Sequence, residues 1–265
     1  MLGPEWWAMF TSLLSLLYSA YFLRYKVQDD AISMFFVILC VILIILTGTT
    51  DPGLIPPKTD DQFPISRNPI THQPYPRFLT FRNVCVKQKW CQACEMYRPL
   101  RSSHCKICNN CVYRFDHHCS FLGGCIGAYN YRWFICLIIS VTLYSSWAAT
   151  LTHQKLYLLY DSSTKITHFV ILNANLIGFF FLAIVSSLAF MLLSLYHLVI
   201  TSRNLTTNEH VKRYYKINPF DQGCLTNYQN VILKLEPDSP ELKTSYSGPA
   251  LATEADCLSD LYDAI

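Results

Sequence analysis

Charge is scarce in this sequence. Asp, Glu, Lys and Arg make up only 15% of its 265 residues, and the formal net charge is +3. So small a balance gives no lead toward a nucleic-acid partner. Charge is missing altogether from residues 6–23, 31–50, 133–151 and about 169–200. Each of these runs reaches the roughly 18 to 20 residues needed to cross a hydrocarbon core as a helix. Four of them leave too little polar chain to bury them in a water-soluble core. The first run also lacks the basic start and the small-residue cleavage site of a secretory leader, so it reads as a retained span.

Lys and Arg are unevenly placed around these runs. Residues 51–132 hold 11 of the 21, the chain after Ile200 holds six, and the segment between the third and fourth runs has only Lys155 and Lys165. Basic residues collect on the cytoplasmic side of a membrane. Both large polar segments, and with them both termini, are therefore predicted to be cytosolic, although the short first loop carries Arg24 and Lys26. In a reducing compartment, dense cysteine means metal or catalysis rather than disulfides.

Eight of the 12 cysteines fall between Cys85 and Cys125. They are arranged as Cys91-x2-Cys94, His104-Cys105-x2-Cys108-x2-Cys111, Asp116-His117-His118-Cys119 and Cys125. Zinc takes four thiolate or imidazole ligands in a tetrahedron, and a two-residue gap lets one turn present two sulfurs to one ion. The basic flank Arg98-Pro99-Leu100-Arg101 also suits a nucleic-acid zinc finger, but membrane spans on both sides argue against nucleic acid. With eight Cys and three His, this stretch offers 11 candidate ligands. Two closed sites use eight and leave three. Adjacent residues point in different directions, so His117 and His118 are not expected to serve one ion alike. A free imidazole beside a free thiol and a carboxylate has the makings of a nucleophile, its base and its orienter. Counting alone does not say which residues are spare.

The array C-x2-C-x9-HC-x2-C-x2-C-x4-DHHC-x5-C-x4-N, from Cys91 to Asn130, resembles the DHHC family of protein S-acyltransferases (palmitoyltransferases). Further motifs of that family follow the spans: Asp51-Pro52-Gly53, Thr206-Thr207-Asn208-Glu209, and the stretch NPFDQGCLTN ending at Asn227. The resemblance implies that one zinc takes Cys91, Cys94, His104 and Cys111, and a second takes Cys105, Cys108, His118 and Cys125. Cys85, His117 and Cys119 remain. It further implies that Cys119 is the nucleophile, His117 its base and Asp116 the orienter, with Thr207 set against Asp116 and Asn227 bracing the C-terminal element. From the residues alone, the Thr206 motif reads as a helix cap.

The expected fold is an all-α polytopic membrane protein. Transmembrane helices occupy 1–50 and 133–200, a cytosolic zinc domain with two structural Zn2+ occupies 51–132, a C-terminal element 201–235, and a mobile acidic tail 236–265. The expected activity is protein-cysteine S-palmitoyl transfer from acyl-CoA to protein substrates with membrane-proximal cysteines, in the Golgi or endoplasmic reticulum membrane. An accessory subunit is compatible with it. Arg98, Arg101 and Arg132 are the candidates to hold the CoA phosphates, and Ser140, Ser145, Ser146 and Ala148 either leave room for an acyl chain or pack helices. The alternative is a membrane zinc-domain scaffold with weak or no catalysis. The chain departs from the family where Pro-Trp commonly follows the reactive cysteine, having Ser120-Phe121, and where Asn commonly precedes the last cysteine, having Gly124.

Overall fold

The computed structural model describes residues 3–27, 31–56, 69–70, 74–75, 77–82, 84–233 and 251–252. Its helices are α1 (Trp6–Phe22), α2 (Ala31–Thr49), α3 (Tyr131–Leu159), α4 (Ile166–Leu172), α5 (Ala174–Ser202), α6 (Thr207–Val211) and α7 (Cys224–Tyr228). Among the described residues, four helical stretches are long and apolar enough to cross a membrane: α1 with the π-turn that continues it, α2, α3 and α5. They overlap the four uncharged runs, the fourth of which is divided between α4 and α5. At about 1.5 Å per residue, the 29-residue α3 and α5 exceed the ~30 Å of hydrocarbon.

The chain divides into two compact units. The first gathers α1, α2, Arg132–Val199 and the short stretch Ser120–Gly124. Hydroxyls tie its helices together. The Thr142 hydroxyl donates to the Ile138 carbonyl (2.8 Å), which leaves its oxygen to accept from Ser194 on α5 (3.3 Å). Ser146 does the same with Thr142 and Ser187, and Ser19 with Leu16 and Tyr144. Returning the proton one turn back is how a hydroxyl is satisfied where no water reaches. Ser140, Ser145 and Ala148 are buried among these helices, and the Ser145 and Ser146 hydroxyls are engaged in this bonding.

The second unit holds Asp51–Cys119, Cys125–Tyr131 and the chain from Ile200. Its strands are β1 (Leu54–Ile55), β2 (Arg77–Phe81), β3 (Val84–Gln88), β4 (Trp90–Cys91), β5 (Met96–Tyr97), β6 (Ser103–Cys105), β7 (Asn110–Val112), β8 (His117–Cys119), β9 (Gly124–Ile126) and β10 (Leu251–Ala252). The helical content thus lies mainly in the spans, and the Cys-rich segment is built of short strands. They form four small sheets, ordered β1-β7-β6, β10-β2-β3, β4-β5 and β8-β9. The Asp51-Pro52-Gly53 motif explains the first of these. Asp51 Oδ1 accepts from the Gly53 and Leu54 amides (2.8 and 2.9 Å), turning the chain so that Ile55 pairs with Cys111. Gly53 makes this turn at φ +102, where a side chain is strained. Most of the expected acidic tail lies outside the described residues; within it, Leu251 and Ala252 pair with Leu79 and Phe78.

Candidate active site and metal centres

Among the described residues, two four-residue clusters stand in the second unit, Cys91–Cys94–His104–Cys111 and Cys105–Cys108–His118–Cys125, each with one ligand atom per residue and all four atoms within 4.8 Å of one another. Strand geometry sorts the ligands. On β6, His104 and Cys105 are neighbours and so face opposite ways, one to each cluster. His104 also sits opposite Cys111 in the β6–β7 register, which places two ligands of the first cluster side by side. Its Nδ1 is 3.4 Å from Cys94 Sγ and 3.9 Å from Cys111 Sγ. In the second cluster, His118 Nδ1 lies 3.4 to 3.6 Å from the sulfurs of Cys108, Cys105 and Cys125. Burial drives the Cys111 and Cys125 thiols well above the ordinary range. Crowded, buried sulfurs of this kind need a cation to be held as thiolates, and a Cys3His donor set suits zinc.

Alternation along β8 does the rest. His118 turns to the second cluster, and His117 and Cys119, two residues apart, share the opposite face. The His117 side chain hydrogen-bonds to Cys119, and its Nδ1 meets Asp116 Oδ2 at 2.7 Å. Burial disfavours the charged ring, but the bonds to Asp116 and Cys119 outweigh it and raise the His117 pKa to about 9. Asp116 is 1% exposed. Its Oδ1 accepts from the Thr207 backbone amide (2.8 Å), and its own amide donates to the Ile126 carbonyl (2.9 Å). Both carboxylate oxygens are therefore committed, one to the imidazole and one to the start of α6. His117 and Cys119 are partly exposed.

The motif at Thr206 is a cap and more. Thr206 Oγ1 accepts from the Glu209 amide (3.2 Å), and Glu209 Oε2 accepts from the Thr206 amide (2.9 Å), a capping box. The same carboxylate receives Arg101 through two nitrogens at 2.8 and 2.7 Å. Arg101 donates as well to the Asn204 side chain and carbonyl, so Asn204, part of the one glycosylation sequon, is buried and engaged. Asn227, 0% exposed, accepts from the Gln222 amide and donates to the Ser202 carbonyl and to Asp221. Asn130 closes the loop after Cys125, accepting from Gly127 and donating to the Cys125 carbonyl.

Residues 85–214 match the family model described as DHHC palmitoyltransferase. The chain carries a domain of the DHHC palmitoyltransferase family. It is 32% identical over 219 residues to mouse (Mus musculus) palmitoyltransferase ZDHHC8, covering 77% of this chain and 27% of that protein. It is 33% identical over 190 residues to palmitoyltransferase ZDHHC5-A of Danio rerio and to palmitoyltransferase ZDHHC5 of Homo sapiens, covering 69% of this chain and 24% and 25% of those proteins. The chain spans about a quarter of the length of these relatives.

The arginines expected to hold CoA, and Cys85, stand in different surroundings. Arg101 is buried in its pair with Glu209, Arg132 belongs to the helical unit with its guanidinium 4.5 Å from the Trp133 ring, and Cys85 joins neither cluster. Arg98 lines a groove of about 680 Å³ whose rim carries Lys87, Lys89, Lys212, Arg213 and Lys216. These cations were not anticipated as a set. They come from β3 and the residue just after it and from the chain after α6, more than a hundred residues apart. The Glu209 ion pair was missed for the same reason. The one signal for it in the sequence is that the motif glutamate is the only acidic residue between Asp161 and Asp221.

Proposed function

We propose that this protein is an integral membrane protein-cysteine S-acyltransferase that moves a long-chain acyl group, such as palmitoyl, from acyl-CoA to cysteine thiols of protein substrates. The observation that carries the reading is the line Asp116–His117–Cys119 beside a second cluster that leaves all three unused. A scaffold needs only the metal ligands. It has no use for a buried carboxylate held from two sides against an imidazole that in turn meets a thiol.

In the first step the Cys119 thiolate attacks the thioester carbonyl, a new S–C bond forms, and the CoA sulfur leaves with the electron pair of the bond that breaks and takes the His117 proton, which leaves the imidazole neutral. In the second step a substrate thiol attacks the acyl-enzyme, His117 accepts its proton, and Cys119 is regenerated. Thioester is exchanged for thioester, so the chemistry calls for no nucleotide or redox partner. Asp116 fixes the ring through Nδ1, which leaves the other nitrogen to the reacting thiols. Zinc in the two clusters would be structural, since each set of four protein ligands closes the tetrahedron.

The basic groove around Arg98 is suited to the CoA phosphates, and fatty chain is suited to the apolar helices, each methylene contributing roughly 0.8 kcal/mol on leaving water. The 11 Lys and Arg of residues 51–132 favour a cytosolic DHHC domain with both termini cytosolic, and the family resemblance favours Golgi or endoplasmic reticulum membranes. The test is acyl labelling of purified protein. Cys119→Ser is expected to abolish a hydroxylamine-sensitive adduct while zinc stays near two per chain, one for each cluster. An undiminished adduct in that variant overturns the assignment.

A further inference from the structure

Residues 120–124 follow Cys119 in the chain and lack the Pro ring that commonly stiffens this turn in the family. Ser120–Leu122 forms a single 3₁₀ turn, closed by the Gly123 amide on the Ser120 carbonyl (3.2 Å). Three successive carbonyls of this loop are then met by main chain or by a short side chain of the same helical unit. The Phe121 carbonyl accepts from Ser12 Oγ of α1 (2.9 Å). The Leu122 carbonyl faces Gly48 of α2, where an added Cβ would sit 3.2 Å away. The Gly123 carbonyl accepts from the Glu5 amide, just before α1 (3.3 Å).

Gly3 and Gly123 leave no room between them. A Cβ on Gly3 would lie 1.9 Å from the Gly123 oxygen and 2.8 Å from Gly124 Cα; a Cβ on Gly123 would lie 2.5 Å from the Glu5 oxygen. Gly123 also has φ +70. The Phe121 side chain, in contrast, is 79% exposed. The loop is held by these main-chain contacts together with the buried Leu122 side chain.

We propose that Gly3 and Glu5 form a positioning clasp for the stretch after the nucleophile, replacing with main-chain contact the stiffness that Ser120 does not supply. The clasp rests on the acyltransferase reading. It does not touch the reacting atoms; it restricts where the chain leaving Cys119 can go. Displacements on the scale of one ångström are enough to lower a rate by about 100-fold.

The test uses the full-length, zinc-loaded protein in lipid nanodiscs with palmitoyl-CoA. Gly3→Ala is expected to lower kcat for acyl-enzyme formation by about 10- to 100-fold, with KM, zinc content and alkylation of Cys119 by iodoacetamide unchanged. Adding Ser120→Pro to Gly3→Ala is expected to restore part of kcat. Gly178→Ala on α5, where a Cβ meets nothing within 4 Å, serves as the silent control. Wild-type kcat in Gly3→Ala overturns the clasp, and so does a fall in kcat matched by loss of zinc in folded protein. If Gly3→Ala does not accumulate folded, Ser12→Ala decides by the same criteria. A wild-type protein that forms no adduct on Cys119 would instead sink the acyltransferase reading itself.

Discussion

His117, His118 and Cys119 are consecutive, yet the pleat of β8 sends the middle one to a metal cluster and the outer two to the opposite face. Their substitutions should part accordingly. His118→Ala is expected to lower zinc content by one per chain and to destabilise the second unit, as read by metal analysis and thermal melting. His117→Ala should keep both zinc ions and lose about 10² to 10⁴ in the transfer rate. Composition and spacing pointed to this division but could not complete it, because counting ligands does not say which way a side chain turns. Glu209 makes a second case at this scale. Its carboxylate, 1% exposed, neutralises Arg101 at 7%, so Glu209→Ala strands a buried cation and should destabilise by about 3–5 kcal/mol. Denaturant unfolding measures it. A Glu209→Ala, Arg101→Met double variant should recover part of the loss, since neither charge is then left alone.

Helix α6 is only five residues long, and its worth lies in its first amide. Thr207 is the first helical residue, and what reaches Asp116 is its backbone N–H rather than its hydroxyl. Thr207→Pro isolates that bond. Proline is well tolerated at the first helical position, and the preceding Thr206 already has the extended backbone, φ -93 and ψ 159, that a residue before proline prefers. The expected outcome is a transfer rate lowered about tenfold or more, with melting temperature and zinc nearly unchanged; Thr207→Ser, which keeps the amide, should behave as wild type. The sequence motif was legible as a helix cap, and it is one. That the cap also holds the carboxylate of Asp116, 91 residues away, was not legible, since a backbone amide carries no side-chain signature.

Across the whole molecule, the two units draw on different sources of stability. The helical unit relies on apolar burial and internally satisfied hydroxyls. The second has strands of two to five residues, too short to stand alone, and four clustered ligands at each of two points. Metal should therefore hold one unit and not the other. Treatment with a strong chelator is expected to open the segment between Arg77 and Ile126 to protease while the far-UV helical signal of the spans persists in a bilayer. Equal loss of both signals would show that the spans too depend on metal.

The sequence by itself determined the spans, the metal-binding character of the Cys-rich segment and the family resemblance, because each is written in local pattern: runs without charge, cysteines two residues apart, a motif in fixed order. Tertiary structure alone decided the pairing of Arg101 with Glu209, the gathering of the basic groove, and the backbone contact of Gly3 with Gly123. In each of these the partners are far apart in the chain. Main-chain atoms or ordinary charges make the contact, and such groups look the same in sequence whether or not they meet.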